Sequence, residues 1–344
     1  MTTTTSPFDA AADLAGALHE LISGYQRTQL VVVATQLGVA DLLAGGPQSV
    51  AALADATGSD QDALHRLIRA LAGWGLFAER ADGLIEMTPL AALLQSDTPG
   101  SLRALALAQQ DFYPVWGDLG YSVQTGRPSF DRVYGQPNWT YRESHPEANE
   151  RFNAFMAHYA WGTATSLLSS GCLPETGTVV DVGGGNGSLL GAVLAQHPRL
   201  RGVLFDQPHV VQEAEAVLNS AGVADRCDVI RGDFFREVPS GGDIYLLSGV
   251  LHDWADAEAA QILRRCRHAM GANARLVVVD GLVPEGNKPS PIKDIDIQLM
   301  LTNAGGRIRS ESQWRALVDN AGFKFGGIIE TAGIVDVLQA TPAS

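Results

Sequence analysis

One stretch constrains this chain more than any other: Val179-Val180-Asp181-Val182-Gly183-Gly184-Gly185-Asn186-Gly187. The valines around Asp181 read as a strand buried on both faces, as in a parallel sheet. The glycines and Asn186 form a turn, and Ser188-Leu189-Leu190-Gly191-Ala192-Val193-Leu194 restores helical spacing. Strand, glycine turn and helix make a ligand cradle. Glycine lets the backbone turn sharply and lets a ligand approach with no Cβ in the way. The helix N-terminus offers free N–H groups to a phosphate or to the carboxylate of an amino-acid-like ligand.

Two later stretches sharpen this reading. Val203-Leu204-Phe205-Asp206 is a second short apolar run, and its acid lies about twenty residues past the glycines, where nucleoside-binding α/β units place a carboxylate for ribose hydroxyls. Val229-Ile230-Arg231-Gly232-Asp233-Phe234-Phe235 offers a third strand end. Asp233 there suits an adenine amino group and Phe234 its ring face. The usual NAD fingerprint is G-x-G-x-x-G. The tighter spacing here disfavours a nicotinamide oxidoreductase.

The remaining α/β pattern runs Ile244–Ser248, Ala257–Met270 and Arg275–Asp280, which predicts a doubly wound parallel sheet with ligands at the carboxyl ends of its strands. Pro284 to Pro291 reads as a polar linker, Ile292–Leu301 and Glu311–Ala321 as helices, and Phe323–Ile329 with Ile334–Gln339 as a closing hairpin. His252 follows the strand Ile244–Ser248 by a few residues, so it is expected at the same sheet edge as Gly183, Asp206 and Asp233.

Upstream, Leu14 to Leu43 reads as helices. Leu18, Leu21, Ile22 and Tyr25 share a face, and Leu30 to Leu43 is apolar nearly all round. A helix apolar on most sides is buried on most sides, so this region is expected to pack against a second chain. Ser49 to Thr88 reads as helix, helix capped by Asp60, and a hairpin turning at Asp82-Gly83, the order of a winged helix. Its second helix sets Arg66 and Arg69 beside Asp60 and Asp62, without the basic excess that phosphate contact needs. From Phe112 to Trp161 aromatics are dense. Asp131 to Gly135, between Pro128 and Pro137, reads as a loop. Phe152, Phe155, Met156 and Tyr159 recur at helical spacing, and Met156 and Tyr159 are candidates for the wall of a pocket for a flat ring.

Composition excludes several partners. The chain of 344 residues has formal net charge −14, which argues against nucleic acid or an anionic membrane. Cys172, Cys227 and Cys266 have no metal or redox spacing, so no metal site is expected, and a reduced cytoplasmic compartment fits. Met1 to Asp13 carries neither a basic nor an apolar signal-peptide region, and no apolar run is long enough to span a membrane.

The glycine motif, Gly232-Asp233-Phe234 and Leu251-His252-Asp253-Trp254 together resemble the S-adenosylmethionine-dependent O-methyltransferases of the caffeate, hydroxyneurosporene and acetylserotonin type, in the bacterial branch that tailors aromatic polyketides. The resemblance runs from about Leu21 to Leu338. It implies a dimerisation domain of helices and a winged helix over 1–100, linking helices over 101–165 that contribute to the substrate pocket, and a cofactor-binding catalytic domain over 166–344. It implies a homodimer, with S-adenosylmethionine held by Gly183, Gly185, Asp206, Asp233, Phe234 and Ser248. Catalysis falls to His252 and Asp280, and substrate contact to Met156, Tyr159, Met300 and Asn303.

The chain departs from the family pattern in places. Asp280 replaces a commoner Glu, and Ser248 stands where plant relatives often carry Lys. A second acid is expected in the segment Gly305-Gly306-Arg307-Ile308-Arg309-Ser310, but Ile308 occupies its position. One carboxylate, Asp280, is then left to orient the imidazole. The leading expectation is O-methylation of a hydroxyl on an aromatic or polyketide-type small molecule of secondary metabolism. The alternative keeps the cofactor but decarboxylates, hydroxylates or cyclises the substrate.

Overall fold

The computed structural model describes residues 14–284 and 286–343, without the side chain of Trp161. The expectation for Met1 to Asp13 therefore lies outside the described residues, as does Glu285 of the linker. Two compact units divide between Phe112 and Tyr113.

The N-terminal unit begins with helices Leu14–Gln36 and Val39–Leu42. A three-stranded sheet of β1 (Gln48–Ser49), β2 (Phe77–Glu79) and β3 (Leu84–Met87) runs in the order β1-β3-β2 and packs with helices Val50–Thr57 and Gln61–Ala72. This is the expected winged-helix arrangement. Asp60 caps the second helix, its Oδ1 accepting from the Ala63 N–H at 2.9 Å. Gly83, at φ 80°, closes the hairpin in a conformation that L side chains avoid.

The apolar excess lies within the expected region, Leu14 to Leu43, but is concentrated at its start. Ala34, Val39, Ala40 and Leu43 are absorbed by the unit's own core, with Leu53, Leu64, Ile68 and Phe77. The uncovered face is the earlier one: Leu14, Leu18, Leu21, Ile22 and Tyr25 are each more than half exposed. The winged helix covers much of Leu30 to Leu43, with Val33 left exposed, and it leaves the first turns of the long helix bare.

The C-terminal unit carries a seven-stranded sheet. Its strands are β4 (Gly177–Val182), β5 (Leu200–Asp206), β6 (Cys227–Arg231), β7 (Ile244–Ser248), β8 (Arg275–Asp280), β9 (Phe323–Ile329) and β10 (Asp336–Pro342), in the order β6-β5-β4-β7-β8-β10-β9. The pairs among β4 to β8 are parallel, and β10 inserts antiparallel between β8 and β9. Val179, Val180 and Val182 on β4, Leu246 and Leu247 on β7, and Val277 to Val279 on β8 are buried on one face or the other. Central strands of a sheet covered on both faces must read as apolar runs, which is why their sequence signal was clear. Helix Ser188–Gln196 follows the glycine turn, with Leu189, Leu190, Val193 and Leu194 buried.

Before the sheet lie helices Leu119–Thr125, Ser129–Tyr134, Asn138–Ser144 and Pro146–Ser169. Residues 129–134 are helical and not a loop. Pro128 sits just outside the first turn and Gly135, at φ 76°, just past the last, so they bracket a short helix without interrupting it. Among the described residues no helix is long and apolar enough to cross a membrane.

Candidate active site

Five parallel strands deliver their carboxyl ends to one edge, and the sequence-predicted site gathers there. Gly183 follows β4, Asp206 ends β5, Asp233 follows β6, Ser248 ends β7 and Asp280 ends β8. His252 lies in the 3-10 turn Leu251–Asp253, just after β7.

The glycines divide their work. A Cβ on Gly183 would sit 2.8 Å from Val250 Cγ2, and one on Gly184 would sit 2.4 Å from Leu204 Cδ1 and 2.6 Å from Asp181 Oδ2. These two are required by packing. A Cβ on Gly185 would meet nothing within 4 Å, so its backbone borders open space at φ 64°. Its N–H donates to Asp206 Oδ2 at 2.8 Å, and Asp206 Oδ1 accepts from the Gln207 N–H at 2.7 Å. Burial raises the Asp206 pKa, while those two backbone donors and His209 oppose the rise. The Phe234 ring edge comes within 3.5 Å of the Cβ position of Gly183, so turn and aromatic share one hollow. Asp233 binds the Phe235 N–H at 2.9 Å and lies 3.4 Å from Arg236. Ser248 is half-buried at the strand end.

Asp181, which the sequence pattern shows only as part of a strand, lies 1 % exposed beneath this hollow, with neither carboxyl oxygen hydrogen-bonded among the described residues. Burial, and to a lesser degree the Asp206 charge, raise its pKa to about 7. Its signal was an acid inside a valine run, which costs free energy to bury unless it is paired. An orphaned carboxylate, a second carboxylate at Asp206 and an open Gly185 backbone fit a nucleoside ligand that carries positive charge. That is the chemistry of S-adenosylmethionine.

The imidazole is held tightly. His252 Nδ1 meets Asp280 Oδ1 at 2.6 Å, and Asp280 also accepts from the Gly281 N–H at 2.7 Å. The shorter acid therefore reaches the ring. His252 Nε2 lies 3.8 Å from Asp253 Oδ1, so a second carboxylate flanks the ring although position 308 is apolar. Ile308 is 4 % exposed and packs with Ile292 and Leu299, so Asp280 is the carboxylate that bonds and orients the ring, with the Asp253 carboxylate standing nearby. Burial by itself lowers the imidazole pKa; Asp280, Asp253 and the bond to Asp280 outweigh it, against Arg309, and leave the pKa at about 9.

Arg309, another residue without a role in the sequence reading, has a fully buried side chain. It donates to Leu251 O at 2.7 Å, to Trp254 O at 2.8 Å and to Asp256 Oδ1 at 2.8 Å. The Arg307 N–H donates to His252 O at 2.8 Å. The turn bearing His252 is thus fixed from both sides.

The substrate candidates are placed unevenly. The Met156 methyl lies 4.0 Å from the Cβ position of Gly249, and His252 Cε1 lies 3.5 Å from that same point, which brings Met156 beside the imidazole. Tyr159, one turn on, stacks edge-on to Phe155 with ring centroids 5.0 Å apart, and burial raises its phenol pKa. Met300 packs with Ile297 against Val115, Phe130 and Leu301. Asn303 is 7 % exposed and binds Asp253 and Asn138.

Comparison with known proteins places this geometry. An O-methyltransferase domain matches residues 116–324 and an O-methyltransferase dimerisation domain residues 19–97. A phenazine O-methyltransferase of Lysobacter antibioticus is 40% identical over 96% of this chain and 97% of its own length. An 8-amino-8-demethylriboflavin N,N-dimethyltransferase of Streptomyces davaonensis is 37% identical over 88% of each. An O-methyltransferase of neocarzinostatin biosynthesis, solved with S-adenosylmethionine and 2-hydroxy-5-methyl naphthoic acid, superposes with a TM-score of 0.82 at 30% identity, covering 92% of this chain and 96% of its own. Sequence, fold and the layout of the sheet edge agree, and the chain belongs to the family of S-adenosylmethionine-dependent O-methyltransferases.

Proposed function

We propose that this enzyme methylates a hydroxyl on an aromatic small molecule of secondary metabolism, with His252 as the proton acceptor. The observation that carries this is the His252–Asp280 pair, 2.6 Å apart, at the sheet edge that also holds the glycine hollow. The cofactor, when bound, supplies an electrophilic methyl group. Gly183 and Gly185 line its path, Asp206 receives its ribose hydroxyls, Asp233 and Phe234 meet its adenine, and Ser248 adds a hydroxyl. Asp181 and Asp206 provide negative charge where a cationic ligand gains from it.

The rest falls to the protein's own groups. Holding two reactants in line is worth an effective molarity of about 10⁵ M or more. Met156 and Tyr159 form an apolar wall that orients a flat ring and excludes water, with Met300 extending it. His252 Nδ1 is engaged by Asp280, so Nε2 takes the hydroxyl proton, a contribution of roughly 10²–10⁴ in rate. The ring must be neutral to do this. Its pKa of about 9 in the free protein falls when positive charge is bound alongside.

In the assembly we infer, residues 1–100 form the dimerisation domain of a homodimer, 101–165 contribute to the substrate pocket and 166–344 hold the cofactor. Support for the dimer comes from the matched dimerisation domain and the bare face Leu14 to Tyr25. A cytoplasmic location fits the three free cysteines. Incubation with labelled-methyl cofactor and a panel of polyhydroxy aromatics, read by mass spectrometry, is expected to give O-methylated product. Product altered in mass by loss of carbon dioxide or gain of oxygen, without label, favours the non-methylating alternative instead.

A further inference from the structure

The two nitrogens of His252 meet different acids, and only one of those acids belongs to the expected pair. Asp253 Oδ1, 3.8 Å from Nε2, also accepts from Asn303 Nδ2 at 2.7 Å. Asn303 Oδ1 accepts from Asn138 Nδ2 at 3.1 Å, and Asn138 Oδ1 accepts from Arg142 Nε at 2.9 Å. Arg142 also donates to Ala148 O at 3.0 Å and lies over the Phe152 ring at 3.8 Å. Arg142, Asn138 and Asn303 are 3 %, 4 % and 7 % exposed. A continuous polar line therefore runs from a buried guanidinium on helix Asn138–Ser144, through two amides, to the carboxylate beside the imidazole.

The direction of that line is determined by its ends. An amide has one accepting and one donating end. Facing a guanidinium, Asn138 must present its oxygen; its nitrogen then points to Asn303, which must present oxygen in turn and leave its own nitrogen for Asp253. Turning either amide over sets donor against donor or acceptor against acceptor. Only an ionised Asp253, or a protonated one with its bare oxygen toward Asn303, completes the line.

We propose that Asp253 is the second acid of this site, in place of the apolar Ile308, and that Arg142, Asn138 and Asn303 are positioning residues that keep it ionised and aimed at Nε2. The proposal rests on His252 being the proton acceptor. At 3.8 Å, Asp253 is too far to hydrogen-bond Nε2, so that nitrogen stays open to a hydroxyl. It is near enough to stabilise the imidazolium once the proton arrives. The groups that set the charge balance come from several elements: Asp280 from β8, Arg309 from the segment after helix Pro291–Thr302, and Arg142 from helix Asn138–Ser144. Arg307 turns its side chain toward Asp256, at 3.8 Å. Burial raises the Asp253 pKa to about 6, and Arg142 and Asn303 are among the groups that hold it below neutrality.

The test is an imidazole titration by NMR of histidine-labelled protein without substrate, with the His252 signal identified by its loss in His252→Gln. Asp253→Asn keeps the shape of the side chain and the bond from Asn303. It is expected to lower the His252 pKa by about one pH unit, and to move the rising limb of kcat/KM to lower pH by the same amount. Arg142→Met is expected to raise the Asp253 pKa from about 6, seen as a step in the His252 chemical shift at lower pH, and not to lower the His252 pKa, because Asp253 stays ionised near pH 9; Arg142→Lys restores the original step. If Arg142→Met does not fold, Asp253→Asn alone decides. A His252 titration unchanged in Asp253→Asn overturns the proposal, whatever the activity. Failure of the underlying reading shows separately, as a His252→Ala enzyme that loses less than tenfold in turnover.

Discussion

Replacing Asp181 by Asn tests whether the hollow holds a stored electrostatic cost. In the folded chain this carboxyl titrates at about 7 against an ordinary value of 3.8. An acid whose folded pKa is raised gives up its proton sooner in the unfolded chain. Stability therefore falls as pH rises from about 4 to 7 and stays level above that. The gap of 7 − 3.8 corresponds to about 4 kcal/mol above pH 7, at about 1.36 kcal/mol per pH unit. Asp181 is 1 % exposed, so solvent screening relieves little of it, while local relaxation makes the figure an upper bound. The same relation gives about 2 kcal/mol at pH 5.5. Asp181→Asn, which has no proton to lose, should thus gain about 2 kcal/mol more over the parent at pH 8.5 than at pH 5.5. That is roughly 4–8 °C in Tm for a unit of this size. Melting both proteins without cofactor at each pH, and comparing them pairwise, cancels His252. The stabilising effect of that residue, complete below about pH 6.5, is itself lost as pH rises through about 9. The same variant should bind cofactor more weakly, because the charge is what the cationic ligand relieves. A stability difference that does not change with pH would refute the reasoning.

Asp206→Ala should weaken S-adenosylmethionine binding by a few kcal/mol, the order of two charge-assisted hydrogen bonds, and calorimetry showing unchanged affinity would sink the ribose assignment. His252→Ala should lower kcat by roughly 10²–10⁴ with cofactor affinity nearly intact. Because only the neutral ring accepts a proton, parent kcat/KM should rise with pH through the free-enzyme value near 9, and a flat profile counts against His252 as base. The face formed by Leu14, Leu18, Leu21, Ile22 and Tyr25 should be buried in a two-fold dimer, so sedimentation at micromolar concentration should report the mass of two chains. Folded single chains under those conditions would argue against it.

The sequence by itself determined the sheet and the glycine hollow. Strands β7 and β8 and helix Ser188–Gln196 fall where the apolar runs and the glycine turn put them, because a two-face burial pattern and a left-handed glycine are properties of a few consecutive residues. The chain order of strands ending in Asp206, Ser248 and Asp280 likewise placed those groups at one edge, since parallel strands share a direction. Tertiary structure alone decided which groups stand next to His252. Asp253 stands in the motif, but only the fold sets its carboxylate beside Nε2, and its line of support joins Asn138 to a residue 165 positions later. Tertiary packing also decided that Ala34, Val39, Ala40 and Leu43 are covered within their own unit, and that the main apolar face left over is Leu14 to Tyr25. Local pattern fixes that a helix has an apolar face. What covers that face, and which charge meets which nitrogen, depends on residues brought together only when distant elements pack.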